Sequence, residues 1–259
     1  MLWGENGDMK KASFLGHEKA LITCMVQAET PERIKELIDL SLPDGAEAFG
    51  MQFCRMKNEY KSEKTYKELF EYAHEKPVYV TNYRYGYNEG KSDDRLAEEL
   101  ITLAECAATL CDVMGDIFDK QDDELARDGN AIEKQMKLID ELHARGAEVL
   151  MSSHVFKFTP AERVLEIALE HQRRGADICK IVTNADDMTQ QIENMRIINL
   201  LKETLKIPFL FLCGGECHIL RRIGSELGNC MTLCVYEYDA LATTAQPLLK
   251  DIKLLRNTI

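Results

Sequence analysis

The sequence lacks any apolar run near the roughly 20 residues that a helix needs to cross a bilayer, which excludes a membrane-spanning helix. Positive charge is also scarce, because 32 Lys and Arg stand against 44 Asp and Glu and give a net charge of −12. Nucleic-acid surfaces need clustered basic side chains, so we expect no nucleic-acid partner. With only six prolines, 45% hydrophobic and 29% charged residues, the composition excludes disordered and fibrous chains. A soluble globular protein is expected.

The nine cysteines are odd in number and irregularly spaced, and no signal peptide is visible ahead of them. Both features are typical of reduced thiols, so we predict a cytoplasmic protein. Cys213, Cys217 and His218 lie close together, with Cys230 and Cys234 further along, but their spacing matches no paired zinc framework. We therefore predict neither a metal nor a cofactor, and we interpret most cysteines as small core residues.

Short apolar segments alternate with longer amphipathic ones, a pattern typical of βα units in a parallel sheet. The predicted strands are residues 20–26, 46–53, 78–82, 112–118, 148–153, 177–183, 208–213 and 230–236. Eight such units predict a single-domain α/β fold, a (β/α)8 TIM barrel over residues 20–259. Residues 1–19 are interpreted as an N-terminal extension that covers the barrel bottom as a lid or is partly disordered. An open doubly wound sheet is the alternative, but no Gly-rich phosphate loop follows the first strand.

Residues 187–206 carry apolar side chains at helical spacing. They are Met188, Ile192, Met195, Ile198 and Leu201. The spacing predicts a helix between the sixth and seventh strands.

A lysine, Lys180, lies in the middle of the sixth predicted strand, beside Ile178, Ile181 and Val182. An ammonium group is costly to remove from water among such neighbours, so burial favours loss of its proton. A neutral amine on a rigid strand is what Schiff-base chemistry with a ketone or aldehyde requires. The alternative is a structural lysine that reaches solvent or pairs with a carboxylate.

His154 directly follows the fifth predicted strand, one strand away from Lys180. Functional groups of a TIM barrel gather at the C-terminal ends of its strands, so we expect the two side chains to face each other. A neutral histidine can remove a proton from the carbon next to an imine and later protonate a departing hydroxyl. A histidine that caps the next helix is the structural alternative.

Two segments carry a resemblance to a known family. The histidine segment reads VLMSSHVFKFTP over residues 149–160, and the lysine segment reads GADICKIV over residues 175–182. Both resemble the type I 3-dehydroquinate dehydratases, Schiff-base enzymes of the shikimate pathway built on an α/β barrel. The resemblance implies that Lys180 forms an imine with 3-dehydroquinate, and that His154 is the general acid and base in its dehydration to 3-dehydroshikimate, a step of aromatic amino acid biosynthesis. It also implies a small anionic substrate and a homodimer.

The resemblance extends to residues that would bind the substrate. Arg221 matches a family arginine that binds the substrate carboxylate, although Arg222 beside it leaves a one-residue ambiguity. Arg84 lies near the family's Thr-x-Arg, with one residue more, and Gln246 matches a glutamine that contacts substrate hydroxyls.

The second strand departs from the family pattern. The family has Glu-x-Arg there, whereas this chain has Gln52 and Cys54, followed by Arg55. Gln52 can still hydrogen-bond to the substrate, but it has no charge. A substrate-binding arginine is therefore missing unless a bulge turns Arg55 inward.

Further departures follow on and after the fourth strand. The family's Asp-x-Glu, whose carboxylate orients the histidine, is replaced by DVM at residues 112–114, which leaves Asp116 as a candidate substitute. Val155 stands where the family has Asp or Asn, and Ala242 where it has serine. The acidic run 119–128 is interpreted as solvated surface. These changes leave two alternatives to the dehydratase: a Schiff-base lyase or aldolase for another hydroxyketone acid, and a noncatalytic small-molecule-binding barrel.

Overall fold

A computed structural model describes residues 12–242 and 244–258. In this part of the chain, strands and helices alternate in the predicted order. The strands are β1 (Leu21–Val26), β2 (Ala48–Gln52), β3 (Val78–Thr81), β4 (Leu110–Met114), β5 (Glu148–His154), β6 (Ile178–Asn184), β7 (Phe209–Gly214) and β8 (Met231–Cys234). The helices are α1 (Pro31–Ser41), α2 (Glu63–Tyr72), α3 (Asp93–Glu105), α4 (Gly129–Ala144), α5 (Ala161–Arg173), α6 (Met188–Thr204), α7 (Leu220–Leu227) and α8 (Leu249–Arg256). None of these helices is long and apolar enough to cross a membrane.

The strands form one parallel sheet in the order β7-β6-β5-β4-β3-β2-β1-β8, which confirms the predicted TIM barrel. A side chain joins β7 to β8, where the described strands form no ladder. Asn229 accepts a hydrogen bond from the backbone N–H of Phe211 at 2.8 Å and donates one to its carbonyl at 3.0 Å. The N–H of Cys230 also donates to the carbonyl of Phe209 at 2.9 Å. The barrel is therefore nearly closed.

Seven predicted strands agree with the structure to within two residues at each end, and the fourth was wrong. It begins at Leu110 and ends at Met114, whereas residues 112–118 were predicted. The chain leaves the sheet at Gly115, where a Cβ atom would lie 2.4 Å from the carbonyl oxygen of Glu124. Gly115 therefore permits the following loop to pass close over the end of β4.

Inward-facing side chains of the barrel form successive layers, because alternate residues of a strand face the same side. One apolar layer contains Leu110, Leu150 and Ile178, all fully buried. Two residues further along the strands, Ser152 is paired in register with Lys180. A polar layer thus lies above an apolar one, toward the C-terminal ends of the strands.

The residues before β1 pack against the other end of the barrel. Phe14 is 2% exposed, and its ring lies edge-on to Tyr79 with ring centroids 6.4 Å apart. Its backbone N–H donates to the carboxylate of Glu148, the first residue of β5, at 2.8 Å. Residues 1–11, including Trp3, lie outside the described residues, so the lid stays a prediction.

The predicted helix is confirmed as α6, but its first half turns an unexpected face to the sheet. Met188 and Ile192 are 64% and 60% exposed, whereas Gln191 and Asn194 are buried. Asn194 donates to the carbonyl of Asn184 at 3.3 Å. Hydrogen bonding to the end of β6, rather than apolar contact, therefore sets the orientation of this half.

Candidate active site

A cavity of ≈ 480 Å³ opens at the C-terminal ends of the strands. All of the site residues predicted from the sequence line it, namely Gln52, Arg84, His154, Lys180, Arg221 and Gln246. Arg222 lies elsewhere, in a separate cavity next to Lys19 and Ala20 before β1. Of these two neighbouring arginines, Arg221 is the one that lines this cavity.

Lys180 is 5% exposed, and its ammonium group has three polar neighbours. Nζ donates to the phenol oxygens of Tyr79 and Tyr83, each at 2.9 Å, and lies 3.3 Å from Oδ2 of Asp112. Lys180 pairs with a carboxylate, as in the structural alternative. It also lines the cavity, where a reactive amine would have to lie. The ion pair compensates the cost of burying the ammonium group.

Asp112 is the acceptor at the centre of this network. Its Oδ2 accepts hydrogen bonds from Tyr79 and from Tyr83, the latter at 2.5 Å, while Oδ1 accepts one from Ser152 at 2.5 Å. Burial by itself would raise the pKa of Asp112, but the nearby Lys180 and His154 and these hydrogen bonds outweigh it and hold the pKa below its ordinary value. Asp112 is therefore a buried carboxylate with every oxygen satisfied.

His154 is oriented by a residue that the sequence did not identify. Its Nδ1 lies 2.8 Å from Oε2 of Glu124, and its backbone N–H donates to the same oxygen at 2.7 Å. Glu124 belongs to the acidic run interpreted as solvated surface, and for this residue the interpretation was wrong. Asp116, the predicted substitute, binds Arg84 instead, with Nη1 to Oδ1 at 2.6 Å. The backbone contact holds the Glu124 carboxylate in place, and the carboxylate in turn orients the ring of His154.

The loop that carries Glu124 is held by buried groups beneath it. Glu124 has a positive φ of 47°, and its carbonyl accepts from Oγ of Ser153 at 2.6 Å. The Ser153 hydroxyl also lies 3.0 Å from Nε2 of His171, whose pKa is lowered to about 3 by burial and by nearby Arg174. Arg174 donates to the carbonyl of Ala126 at 2.8 Å. The loop conformation therefore depends on side chains of β5 and α5.

Arg84 lines the cavity, but its charge is already paired. Its Nε and Nη2 donate to the two carboxylate oxygens of Asp93, each at 2.8 Å, and Nη1 binds Asp116. Burial opposes the charge, yet these two carboxylates raise the pKa of the guanidinium. Arg84 therefore connects the β3 and β4 loops rather than offering a free cation.

Arg221 and Gln246 have fewer protein partners. Arg221 donates from Nε to the carbonyl of Cys213 at 2.7 Å, and no acidic side chain of the described residues forms an ion pair with it. Burial lowers its pKa to about 10. Gln246 is 5% exposed, and its Oε1 has no hydrogen-bond partner within residues 12–242 and 244–258. Both side chains thus retain capacity to bind an anionic, hydroxylated ligand.

The second strand contributes no cation to the cavity. β2 ends at Gln52, and residues 53–55 form a 3₁₀ turn in which Cys54 is fully buried in the apolar core. The guanidinium of Arg55 lies over the ring of Tyr85, 4.9 Å from its centroid. As the sequence indicated, β2 provides no arginine to the cavity. The turn places Arg55 on the ring of Tyr85 and not in the cavity.

The described part of the chain contains no group of three or more His, Cys, Asp or Glu side chains that could hold a metal ion. Cys213 is buried, and its thiol lies 3.2 Å from the carbonyl oxygens of Gly214 and Cys217. Val155 is buried in the apolar cluster between the sheet and α5 and α6. The side chains that line the cavity include an amine, an imidazole, phenols, carboxylates and guanidinium groups.

Sequence similarity to known proteins covers most of the chain. A family model described as type I 3-dehydroquinase matches residues 24–258. A 3-dehydroquinate dehydratase from Alkaliphilus oremlandii is 34% identical over 112 residues, 42% of this chain and 43% of the relative. Another, from Enterococcus faecalis, is 24% identical over 123 residues, 46% of this chain and 47% of the relative. The aligned segments thus span less than half of the length of these curated relatives.

Solved structures share the barrel. The crystal structure of 3-dehydroquinate dehydratase from Geobacillus kaustophilus superposes with a TM-score of 0.80 at 15% identity, over 94% of this chain and 92% of that one. A type I enzyme from Clostridium difficile, solved with covalently modified comenic acid, gives 0.77 at 16% identity, over 94% and 93%. These TM-scores show a common fold. The family match runs from within β1 to beyond α8. The chain belongs to the type I 3-dehydroquinase family.

Proposed function

We propose that this protein dehydrates 3-dehydroquinate to 3-dehydroshikimate in the shikimate pathway, through a Schiff base on Lys180 with His154 as general acid and base. The observation that supports this most strongly is that both side chains line one cavity, with the lysine held by Asp112 and the histidine by Glu124. A base oriented by a carboxylate, beside a buried amine, is the arrangement that covalent carbonyl catalysis needs.

The reaction proposed for Lys180 and His154 begins with formation of the imine. Nζ of Lys180 attacks the ketone carbon, two protons of its ammonium group pass to the carbonyl oxygen, and that oxygen leaves as water to form the iminium ion. His154 then takes a proton from the carbon next to the iminium carbon, and the electron pair released forms an enamine. The enamine expels the hydroxyl group on the following carbon, to which His154 returns its proton so that a second water leaves. Hydrolysis of the imine releases the product and restores the amine.

Arg221 is proposed to bind the substrate carboxylate, because unlike Arg84 and Lys180 it forms no ion pair with the described residues, and its planar fork suits a carboxylate. Gln246 and Gln52 are proposed to hydrogen-bond to substrate hydroxyls. Arg84 is proposed to act indirectly, by fixing the loops around the cavity through Asp93 and Asp116.

The test is reduction of the imine with borohydride in the presence of 3-dehydroquinate, followed by peptide mass measurement. We expect a stable adduct on Lys180, and turnover to 3-dehydroshikimate in the untreated sample. Lys180→Ala is expected to lose both, whereas Lys120→Ala, which removes an exposed lysine from the same cavity, is expected to keep both. Dehydration that persists in Lys180→Ala would contradict the proposal.

A second candidate substrate class is another hydroxyketone acid. Apolar and aromatic side chains form much of the cavity wall, namely Met25, Met114, Phe156, Val182, Leu212 and Leu233. This wall, together with the uncharged Gln52, suits a substrate with fewer hydroxyl groups. A panel of ketoacids compared by kcat/KM decides between the two, because the class with the higher value is the better fit to the site.

A noncatalytic binding barrel predicts saturable binding of 3-dehydroquinate without any adduct, so the borohydride experiment separates it from both enzymes. The cytoplasmic location and the homodimer stay predictions. Light scattering during size-exclusion chromatography measures the oligomeric state directly.

A further inference from the structure

Two tyrosines contact Lys180 in the same way. The phenol oxygens of Tyr79 and Tyr83 each lie 2.9 Å from Nζ, and each phenol donates a hydrogen bond to Oδ2 of Asp112. Each oxygen is thus bonded to the amine on one side and to a carboxylate on the other. The lysine, the two phenols and Asp112 form one connected hydrogen-bond network.

Only one of these phenols faces the space where a substrate would bind. Tyr83 lines the cavity, whereas Tyr79 does not and is fully buried with its ring against Phe14. Tyr83 also lies edge-on to His154, with ring centroids 5.3 Å apart. It therefore stands between the amine and the imidazole at the surface of the cavity.

We propose that Tyr83 is a catalytic residue that relays protons between Lys180 and the substrate oxygen while the imine forms and hydrolyses. The inference rests on the proposed function and divides its proton transfers between two residues. Tyr83 serves Nζ and the ketone oxygen while the imine forms and hydrolyses, and His154 serves the carbon next to the iminium and the departing hydroxyl.

Imine formation supplies its own protons. The ammonium of Lys180 carries three hydrogens and the iminium nitrogen keeps one, so two protons leave nitrogen and the ketone oxygen departs with both as water. In each transfer Tyr83 gives its hydroxyl proton to the oxygen and receives one from Nζ. An oxygen attached to the carbon bonded to Nζ is only two bonds from that nitrogen, which brings it within hydrogen-bond reach of the Tyr83 hydroxyl.

Loss of a proton from Tyr83 to the substrate oxygen is coupled to its gain of a proton from Nζ. Burial first, and then the charge of Asp112, raise the pKa of Tyr83 well above its ordinary value. A phenolate beside the buried carboxylate is therefore too unfavourable to accumulate. Tyr83 has to receive one proton as it gives up the other.

Tyr83→Phe and Tyr79→Phe form a matched pair, because each removes one hydroxyl with the same two partners. The measurement is the rate at which a borohydride-reducible adduct with 3-dehydroquinate appears in a single turnover, followed by quenching and mass measurement. We expect Tyr83→Phe to slow adduct formation by about 10²-fold or more, and Tyr79→Phe to stay within about tenfold of the unaltered protein. Thermal unfolding of both variants serves as the folding control.

A proton inventory on the unaltered protein provides a second measurement that needs no variant to fold. Adduct rates in mixtures of H₂O and D₂O are expected to fall along a bowed curve, since two protons move together. A straight line, or equal slowing in the two Tyr→Phe variants, would overturn the role of Tyr83 and leave the proposed function intact. Absence of any adduct in the folded, unaltered protein would instead overturn the proposed function and this inference with it.

Discussion

The two sides of the cavity differ in how completely the protein satisfies their polar groups. The reactive side comprises Lys180, Asp112, Tyr83, His154 and Glu124, which hydrogen-bond among themselves, with His154 and Glu124 forming one pair and the other three a connected group. The receiving side comprises Arg221, Gln246 and Gln52. Arg221 forms no ion pair with the described residues, and Oε1 of Gln246 has no hydrogen-bond partner among them.

This difference separates two ways of building a site. The groups that carry out chemistry must be oriented before the substrate arrives, so the protein itself provides their partners. The groups that recognise the substrate are completed by it, so the unliganded protein leaves them partly unsatisfied. Mutations on the reactive side should therefore change stability or rate, whereas mutations on the receiving side should change affinity.

Asp112→Asn is expected to have the largest effect. It leaves the ammonium of Lys180 buried without its counter-ion, which is expected to lower the free energy of unfolding by about 3–5 kcal/mol. Urea denaturation followed by circular dichroism measures the change. The combined variant with Lys180→Met is expected to recover part of the loss, because it removes both charges. Equal destabilisation in the single and combined variants would contradict the pairing.

The stabilisation that Asp112 provides is expected to depend on pH. The pKa of Asp112 lies below its ordinary value, so its stabilising contribution is present above the unfolded value near pH ~3.9 and disappears as the pH falls through the folded value. The difference in unfolding free energy between the protein and Asp112→Asn should thus be constant near neutral pH and shrink in acid. A difference that grows as the pH falls would contradict this assignment.

Glu124→Gln is expected to lower kcat by about 10²-fold, because the amide no longer provides the charged partner that orients His154. Stability is expected to change little, since the side chain of Glu124 is 25% exposed. Asp122→Asn is the matched control, for it makes the same change of charge at an exposed position of the same loop. If both variants lost activity equally, the charge of the loop and not the contact with His154 would be responsible.

The sequence predicted the parts of the site that lie on strands. Lys180 could be placed because strand alternation and its apolar neighbours fix it inside the barrel, and His154 because it ends a strand. The partner of His154 could not be placed in this way, since Glu124 lies in a loop whose conformation depends on Ser153 and Arg174. No periodicity connects residues of a loop to side chains about 30 to 50 positions away.

Polar contacts between elements also decide the charge pairing of Arg84 and the buried face of α6. Arg84 could be placed near the cavity, but its pairing with Asp93 arises from the first turn of α3, which the strand pattern does not describe. Met188 and Ile192 fit a helical pattern correctly, yet the buried face of α6 is set by the hydrogen bonds of Asn194. Local spacing predicts elements well, whereas polar contacts between elements decide which faces and charges remain available.

Arg221→Met tests the receiving side. Loss of the proposed charged hydrogen bond to the substrate carboxylate, worth about 1.5–3 kcal/mol, is expected to raise KM by roughly tenfold to a hundredfold. Because burial lowers the pKa of Arg221 to about 10, its charge destabilises the unliganded protein at neutral pH. The variant is therefore expected to unfold at the same or a higher temperature, the opposite of Asp112→Asn. Arg222→Met is the control, and an equal rise of KM there would contradict the assignment.

Gln246→Leu is expected to have the smallest effect. The side chain is buried with Oε1 unpaired, while its backbone carbonyl is held independently by the hydroxyl of Tyr238 at 3.0 Å. An apolar side chain of similar size removes an unsatisfied polar group, so the unfolding temperature should not fall. One neutral hydrogen bond to a substrate hydroxyl is worth about 0.5–1.5 kcal/mol, which corresponds to an increase in KM of roughly twofold to tenfold. Calorimetry measures the unfolding temperature and steady-state kinetics measure KM on the same preparation. A variant that loses stability without a change in KM would show that the protein itself satisfies Gln246, and that Gln246 does not bind the substrate.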